Sequence, residues 1–266
     1  MVQKTEYKKN NVSKGKKNSK KKKKINHKKR KKIVVVILIT TMLLLIITLL
    51  MFSNLFNIKK ITVINNARVS TEEIIQKSEL KINENMFKTF KSQIKDKIKT
   101  NAYVEDIKIT KKLNGEIIIE VQEREPTYML LCEGGYAYIN NQGYILEITE
   151  NPLNLPIIKG YLTKEIKTGN RLEREDLKKL DTVIQIMETA KSKSIKEIIT
   201  SIDITDKNNF ILEIPSEKKT VQFGDKSNIN VKILWVIHII ERTKNEEGEI
   251  IVKSSDTKKA YFREKV

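Results

Sequence analysis

The sequence predicts an α+β protein. A single N-terminal transmembrane helix leads into a β-α-α-β-β unit and then a mixed β-sheet domain with two packed helices. Three observations carry that prediction. Ile33 to Phe52 is an uncharged run of twenty residues. Residues 57 to about 125 read as one strand, two helical stretches and a hairpin. The rest alternates short strand-like runs with two amphipathic or apolar helical patterns.

The net charge of +19 is concentrated at one end. Residues 1–32 hold 16 Lys/Arg and one acid, Glu6, whereas the remaining 234 residues hold 36 bases and 32 acids. The basicity therefore belongs to a tail and not to the folded part. "KGKKNSKKKKKINHKKRKK" has no apolar periodicity and is expected to be disordered. Its lysines suit contact with anionic lipids. No aromatic or glycine pattern accompanies them, so specific nucleic-acid binding is not expected.

The run "IVVVILITTMLLLIITLLMF" has three Thr as its only polar members. At about 1.5 Å per residue, twenty helical residues match a bilayer core of about 30 Å. The apolar run is too long for a cleaved signal, and no small-x-small site follows it. The positive-inside rule then keeps the tail in the cytoplasm and residues 53–266 outside, as in a single-pass type II protein.

Beyond the anchor, "NIKKITVINN" reads as a strand closed by a turn at Asn65-Asn66. Ser70 in "STEEI" is a helix N-cap, and Glu73 completes a capping box. Phe87, Phe90, Ile94 and Ile98 fall on one face of a second helix. "AYVEDIKITKKL" and "GEIIIEVQER" are strands joined by the turn signal Asn114-Gly115. In the second of them, Ile117, Ile119 and Val121 mark the buried face.

Residues 126–266 open with "TYMLLCEGGYAYINNQGYILEIT", three strands broken at Gly134-Gly135 and at Asn140 to Gly143. A helix over 173–190 places Leu177, Leu180, Ile184 and Met187 together, with Glu173, Glu175 and Asp176 at its favourable N-terminus. "IITSIDITD", "FILEIPS" and "KTVQFG" are strands. A final helix follows, with Ser227 as its cap and Ile233, Leu234, Ile237 and Ile240 as core positions. It is apolar nearly all round and is expected to be well buried.

Order, spacing and position identify the resemblance. "IKKITVINN" before "STEEI", "NAYVEDIKITKK" before the hairpin and "IEVQEREP" resemble a polypeptide-transport-associated (POTRA) domain. The likeness is closest to the version in the bacterial FtsQ/DivIB cell-division family. Asn65-Asn66 stands where that family carries Gly, and Asn tolerates the left-handed turn. "YINNQG" takes the place of a pattern with Asp, here Asn141. "LPIIKGY" matches the family's "LPxxxG" step. "VQFGDKSNINVKILWVIHII" matches its strand-to-helix junction, with Gly224 and Lys232 in place. "IIVKSS" lacks the family's Asp and Arg.

The resemblance divides the chain into a tail (1–32), an anchor (33–52), a POTRA domain (53–125) and an FtsQ-type β domain (126–266). It implies a non-enzymatic divisome scaffold at the septum. Such a scaffold links bitopic coiled-coil proteins of the FtsL and FtsB/DivIC type and helps regulate septal peptidoglycan synthases. It also implies partner contacts at Ile251, Lys253, Tyr261 and Phe262, near a last strand at about Lys258 to Phe262 that forms a sheet edge. The opposing possibility is that Ile251 and Tyr261 simply face the core.

Two other function classes compete with this reading. A POTRA-bearing transport or assembly protein usually repeats the unit or adds a membrane barrel, and neither is visible. A Cys-dependent wall transpeptidase would need Cys132, the only cysteine, to work with His238. No sortase-like signature surrounds "LLCEGG", so no catalytic residue is expected. With His27 and His238 as the only histidines, no metal or other cofactor is expected either.

Overall fold

The computed structural model describes residues 27–253 and 259–265. Helix α1 spans His27–Met51. It starts earlier than the apolar run, so Lys28 to Lys32 extend the helix instead of belonging to a disordered tail. The rest of the tail, with its expected disorder and lipid contacts, lies outside the described residues. The stretch Lys29–Met51 is long and apolar enough to cross a membrane. The hydroxyls of Thr40, Thr41 and Thr48 donate to carbonyls of their own helix, for example Thr40 Oγ1 to Ile37 O at 2.8 Å. Hydroxyls satisfied in this way remove a polar cost that lipid would otherwise impose.

The next unit follows the predicted β-α-α-β-β order. Its elements are β1 (Lys60–Ile64), α2 (Thr71–Ser78), α3 (Lys91–Ile98), β2 (Val104–Lys111) and β3 (Glu116–Glu123). The sheet order is β1-β3-β2, with β1 parallel and β2 antiparallel to β3. Ile117, Ile119 and Val121 are buried as their alternation predicts. Ser70 caps α2 by accepting from Glu73 N at 3.1 Å. The Glu73 carboxylate accepts from Asn101 Nδ2 at 2.7 Å, so the outgoing half of the box is used to tie down the loop before β2.

The predicted second helix is too long. Phe90 is extended and caps α3, Phe87 lies in the preceding loop, and only Ile94 and Ile98 of the four sit in the helix. The hairpin also differs from a two-residue turn. Gly115 N donates to Lys112 O at 3.0 Å, and of the two turn-signal residues only Gly115 adopts positive φ.

A nine-stranded sheet makes up the remainder, in the order β12-β11-β10-β9-β8-β7-β4-β5-β6. Its first part comprises β4 (Tyr128–Cys132), β5 (Gly135–Ile139), β6 (Ile145–Thr149) and β7 (Ile157–Lys159). Helix α4 (Arg174–Ser192) precedes β8 (Ser201–Asp206), β9 (Asn209–Ile214) and β10 (Lys219–Gly224). Helix α5 (Ile229–Arg242), β11 (Gly248–Ile251) and β12 (Tyr261–Glu264) complete the chain. This sheet and its two helices share one apolar core, separate from that of the three-stranded unit.

Both helices differ in detail from their sequence patterns. In α4 the buried side chains are Asp176, Leu180, Thr182, Val183, Ile186, Met187 and Ala190, while Leu177 and Ile184 are half-buried against the same core. Asp176 is fully buried and works as more than a dipole charge. Its carboxylate accepts from Leu162 N, Thr163 N and Thr163 Oγ1 at 2.6–2.9 Å and so fixes the loop after β7. In α5, Ile233, Val236, Ile239 and Lys232 are buried, but Leu234 is 47% exposed. That helix covers the sheet with one face only. Asn228, not Ser227, occupies its cap position, because Ser227 is bonded to Asp225.

Candidate functional site: the β12 end of the large sheet

Three of the four residues implied as partner contacts lie on β11 and β12, and Lys253 follows two positions after β11. The strands pair antiparallel, with Ile251 opposite Tyr261 and Ile250 opposite Phe262. Successive strand residues point to opposite faces, so these two pairs diverge. Ile250 is fully buried and Phe262 packs on the core. Tyr261 is 54% exposed and Ile251 half-buried, on the other face. Core-facing orientation therefore fits Phe262 and not Tyr261. Lys253 is exposed.

β12 stands at the end of the sheet order. Lys265 N donates to Glu247 O at 2.9 Å, toward β11. In an antiparallel pair the backbone groups of alternate residues turn the same way. The N–H and C=O groups of Arg263 and Tyr261 therefore point toward β11, and those of Phe262 and Glu264 point away from the sheet. The predicted strand is shifted accordingly: it runs Tyr261–Glu264, and Lys258 lies outside the described residues.

Two glycines make room for this edge. A Cβ on Gly248 would come within 2.6 Å of the Phe262 ring. Gly224 has φ +76°, and a Cβ there would lie 2.8 Å from Lys253 Cα, where the chain leaving β11 crosses it. On the open face a polar ladder runs inward from the edge. Arg263 pairs with Glu249 at 3.1 Å, Gln222 donates to Glu249 at 2.8 Å, and Asn209 donates to Gln222 at 2.7 Å.

The residue that sequence reasoning missed is Lys219. It is only 3% exposed. Its ammonium donates to Thr243 O at 3.0 Å and to Glu246 O, just past the end of α5, and lies 4.9 Å from the Phe262 ring centre. One buried cation thus joins the end of α5 to the edge strand. A signal was present in "KTVQFG", where Lys219 is in phase with the buried Val221 and Phe223. Lys265 and Glu247 form a further ion pair at 2.8 Å, which holds the Glu247 carboxyl below its usual range and raises the Lys265 ammonium.

The residues considered for chemistry are placed otherwise. Cys132 is half-buried at the end of β4, opposite Gly135, and burial raises its thiol pKa, which favours the protonated form. His238 lies in α5 against Trp235, with the ring centres 5.9 Å apart in an edge-to-face arrangement.

An apolar N-terminal helix, a three-stranded β-α-α-β-β unit and a large sheet with an exposed edge define a membrane-anchored POTRA protein. Residues 56–124 match the family described as "POTRA domain, FtsQ-type". The chain is 28% identical over 196 residues to "Cell division protein DivIB" of Clostridium botulinum, covering 73% of this chain and 76% of that one. It is 29% identical over 188 residues to the DivIB protein of Clostridium acetobutylicum, covering 70% and 74%. To "Cell division protein FtsQ" of Syntrophotalea carbinolica it is 22% identical over 168 residues, covering 62% and 58%. Residues 56–124 thus carry an FtsQ-type POTRA domain, and most of the chain is similar to DivIB cell-division proteins.

Proposed function

We propose that this chain acts in cell division as a non-enzymatic scaffold of the septum. Helix α1 anchors it with the basic tail in the cytoplasm and the two sheet-bearing units outside. The outward-facing edge of β12 receives an extended segment of a small bitopic coiled-coil partner of the FtsL or FtsB/DivIC type. Main-chain hydrogen bonds supply the attachment, side chains at Ile251, Lys253 and Tyr261 supply selectivity, and Phe262, packed on the core, holds the strand in register. The partner complex in turn regulates septal peptidoglycan synthases. The relatives' names support the division role. The observation that carries the mechanism is the terminal position of β12, with the groups of Phe262 and Glu264 directed outward.

The test isolates one backbone group. Glu264→Pro removes an outward N–H without touching the β11 ladder, and Glu264→Ala is its control. The intact chain is captured from solubilised membranes, and co-purifying proteins are identified by mass spectrometry. Small single-span coiled-coil proteins are expected with the wild type and with Glu264→Ala, and are lost with Glu264→Pro. Retention with Glu264→Pro moves the interface away from β12. Absence of that protein class from every sample, together with no midcell enrichment of a fluorescent fusion, overturns the division scaffold.

A further inference from the structure

A second feature lies away from β12. A cavity of about 330 Å³ is lined by residues of α4, the β8–β9 turn and the β10–α5 connection. Four lysines from these three segments share it: Lys178, Lys179, Lys207 and Lys226. Two carboxylates are also present, and both are engaged. Glu175 pairs with Lys178 at 2.7 Å. Asp225 accepts from Lys232 at 3.0 Å and from Ser227 N at 3.0 Å. Among the described residues, Lys179, Lys207 and Lys226 form no ion pair. The inner wall includes Phe210, which is 1% exposed.

Like charges gathered around a concave site with an apolar wall repel one another and focus a positive potential outward. Lys179 also donates to Thr205 O at 3.4 Å and Lys207 lies near the Glu175 carboxylate, but four lysines face only two carboxylates, so the cleft keeps a net positive charge. We propose that this cleft binds a phosphodiester group carried on a flexible soluble polymer. Lysine serves phosphate as a point charge, without the planar fork that matches a carboxylate. Three ammoniums arriving from different segments suit the several oxygens of a tetrahedral anion. The concave shape suits one group entering from a flexible chain better than the broad array of headgroups on a bilayer. The site is independent of the β12 reading.

The test uses hydrogen exchange of the full chain in neutral detergent. The probes are a poly(glycerol phosphate) oligomer, inorganic tripolyphosphate, and vesicles with or without phosphatidylglycerol. The basic tail also attracts polyanions, so the readout is local: amide protection over residues 207–210 and 225–228. The oligomer is expected to protect both segments. Half-saturation shifts upward about tenfold in Lys207→Gln/Lys226→Gln, and the arginine pair at the same positions restores it. Both lysines are exposed, so the variant keeps its fold. Failure of the oligomer to protect these segments, or equal protection in the glutamine variant, overturns the site. Protection by tripolyphosphate alone, or by anionic vesicles alone, overturns the phosphodiester-polymer assignment.

Discussion

The two ends of the nine-stranded sheet make opposite use of the same architecture. At the β6 end, the sheet is joined to the three-stranded unit. Tyr103 donates to Glu147 at 2.7 Å, and Gln142 donates to Glu105 at 2.6 Å. Arg124 donates to the carbonyls of Ala102 and Val104 at 2.8 and 2.7 Å, and its guanidinium lies 4.1 Å from the Tyr144 ring centre. Arg171 approaches the same ring at 5.4 Å. At the β12 end, the supporting contacts come from within the sheet and α5, and among the described residues no strand pairs with the outer edge of β12. An edge strand is a standing invitation to pairing. This protein closes one end with its own chain and leaves the other for the partner we propose.

Four measurements would break or sharpen that contrast. The largest effect is expected from Arg124→Ala, which strips two carbonyls of a charged donor and removes the cation beside Tyr144. A loss of about 3 kcal/mol is expected. It should appear as separation of one urea transition into two, with the single Trp235 reporting on the large sheet. A single unshifted transition would show that the β6 end is not a functional junction.

Lys219→Met comes next. It keeps the length of the side chain but removes the cation between α5 and Phe262, at an expected cost of about 2 kcal/mol. Amide exchange of residues 261–264 should quicken more than that of β4 or β5. Uniform acceleration across the sheet would mean that Lys219 stabilises the fold without positioning the edge.

Tyr103→Phe deletes one hydroxyl bonded to a carboxylate, at about 1 kcal/mol. Burial and the neighbouring Glu147 raise the Tyr103 pKa well above the usual phenol range, so the hydroxyl stays protonated and donating through the alkaline range. The hydrogen bond to Glu147 should therefore persist at pH 10, and the variant's deficit should not shrink between pH 7 and pH 10.

The smallest effect is a pH dependence at the β10–α5 connection, on the β12 side of the sheet's centre. Asp225 is held down to about 2 by its hydrogen bonds from Ser227 and Lys232. A depressed carboxyl contributes stability that is complete above its unfolded pKa, near 3.8, and is lost as pH falls through about 2. Asp225→Asn should flatten the acid limb of the stability curve between pH 4 and pH 2. Because Asp225 is half-exposed, the change is small. An acid limb unchanged by the substitution would remove Asp225 from that account.

Much of this was legible in the chain. A charge-free run of twenty residues can only be satisfied as a helix in an apolar setting, so α1 followed from composition. Period-two alternation in Glu116–Glu123 placed Ile117, Ile119 and Val121 inside without any tertiary information. The family motifs pointed to residues that the structure gathers at the β12 end of the sheet. Other features depended on partners distant in sequence. Periodicity found α4 and its apolar face, but not that Asp176 is drawn inward by the loop at Leu162 and Thr163. The apolar pattern of α5 concealed that only one face meets the sheet.

The sequence by itself determined the elements, their order and the anchor, because these follow from local periodicity, turn chemistry and transfer from water. Only the tertiary structure decided that Phe262 turns inward while Tyr261 turns outward, that Lys219 is buried beneath the edge, and that Arg124 joins the two units. Each of those depends on register between strands or on a partner many residues away, and a linear pattern carries neither.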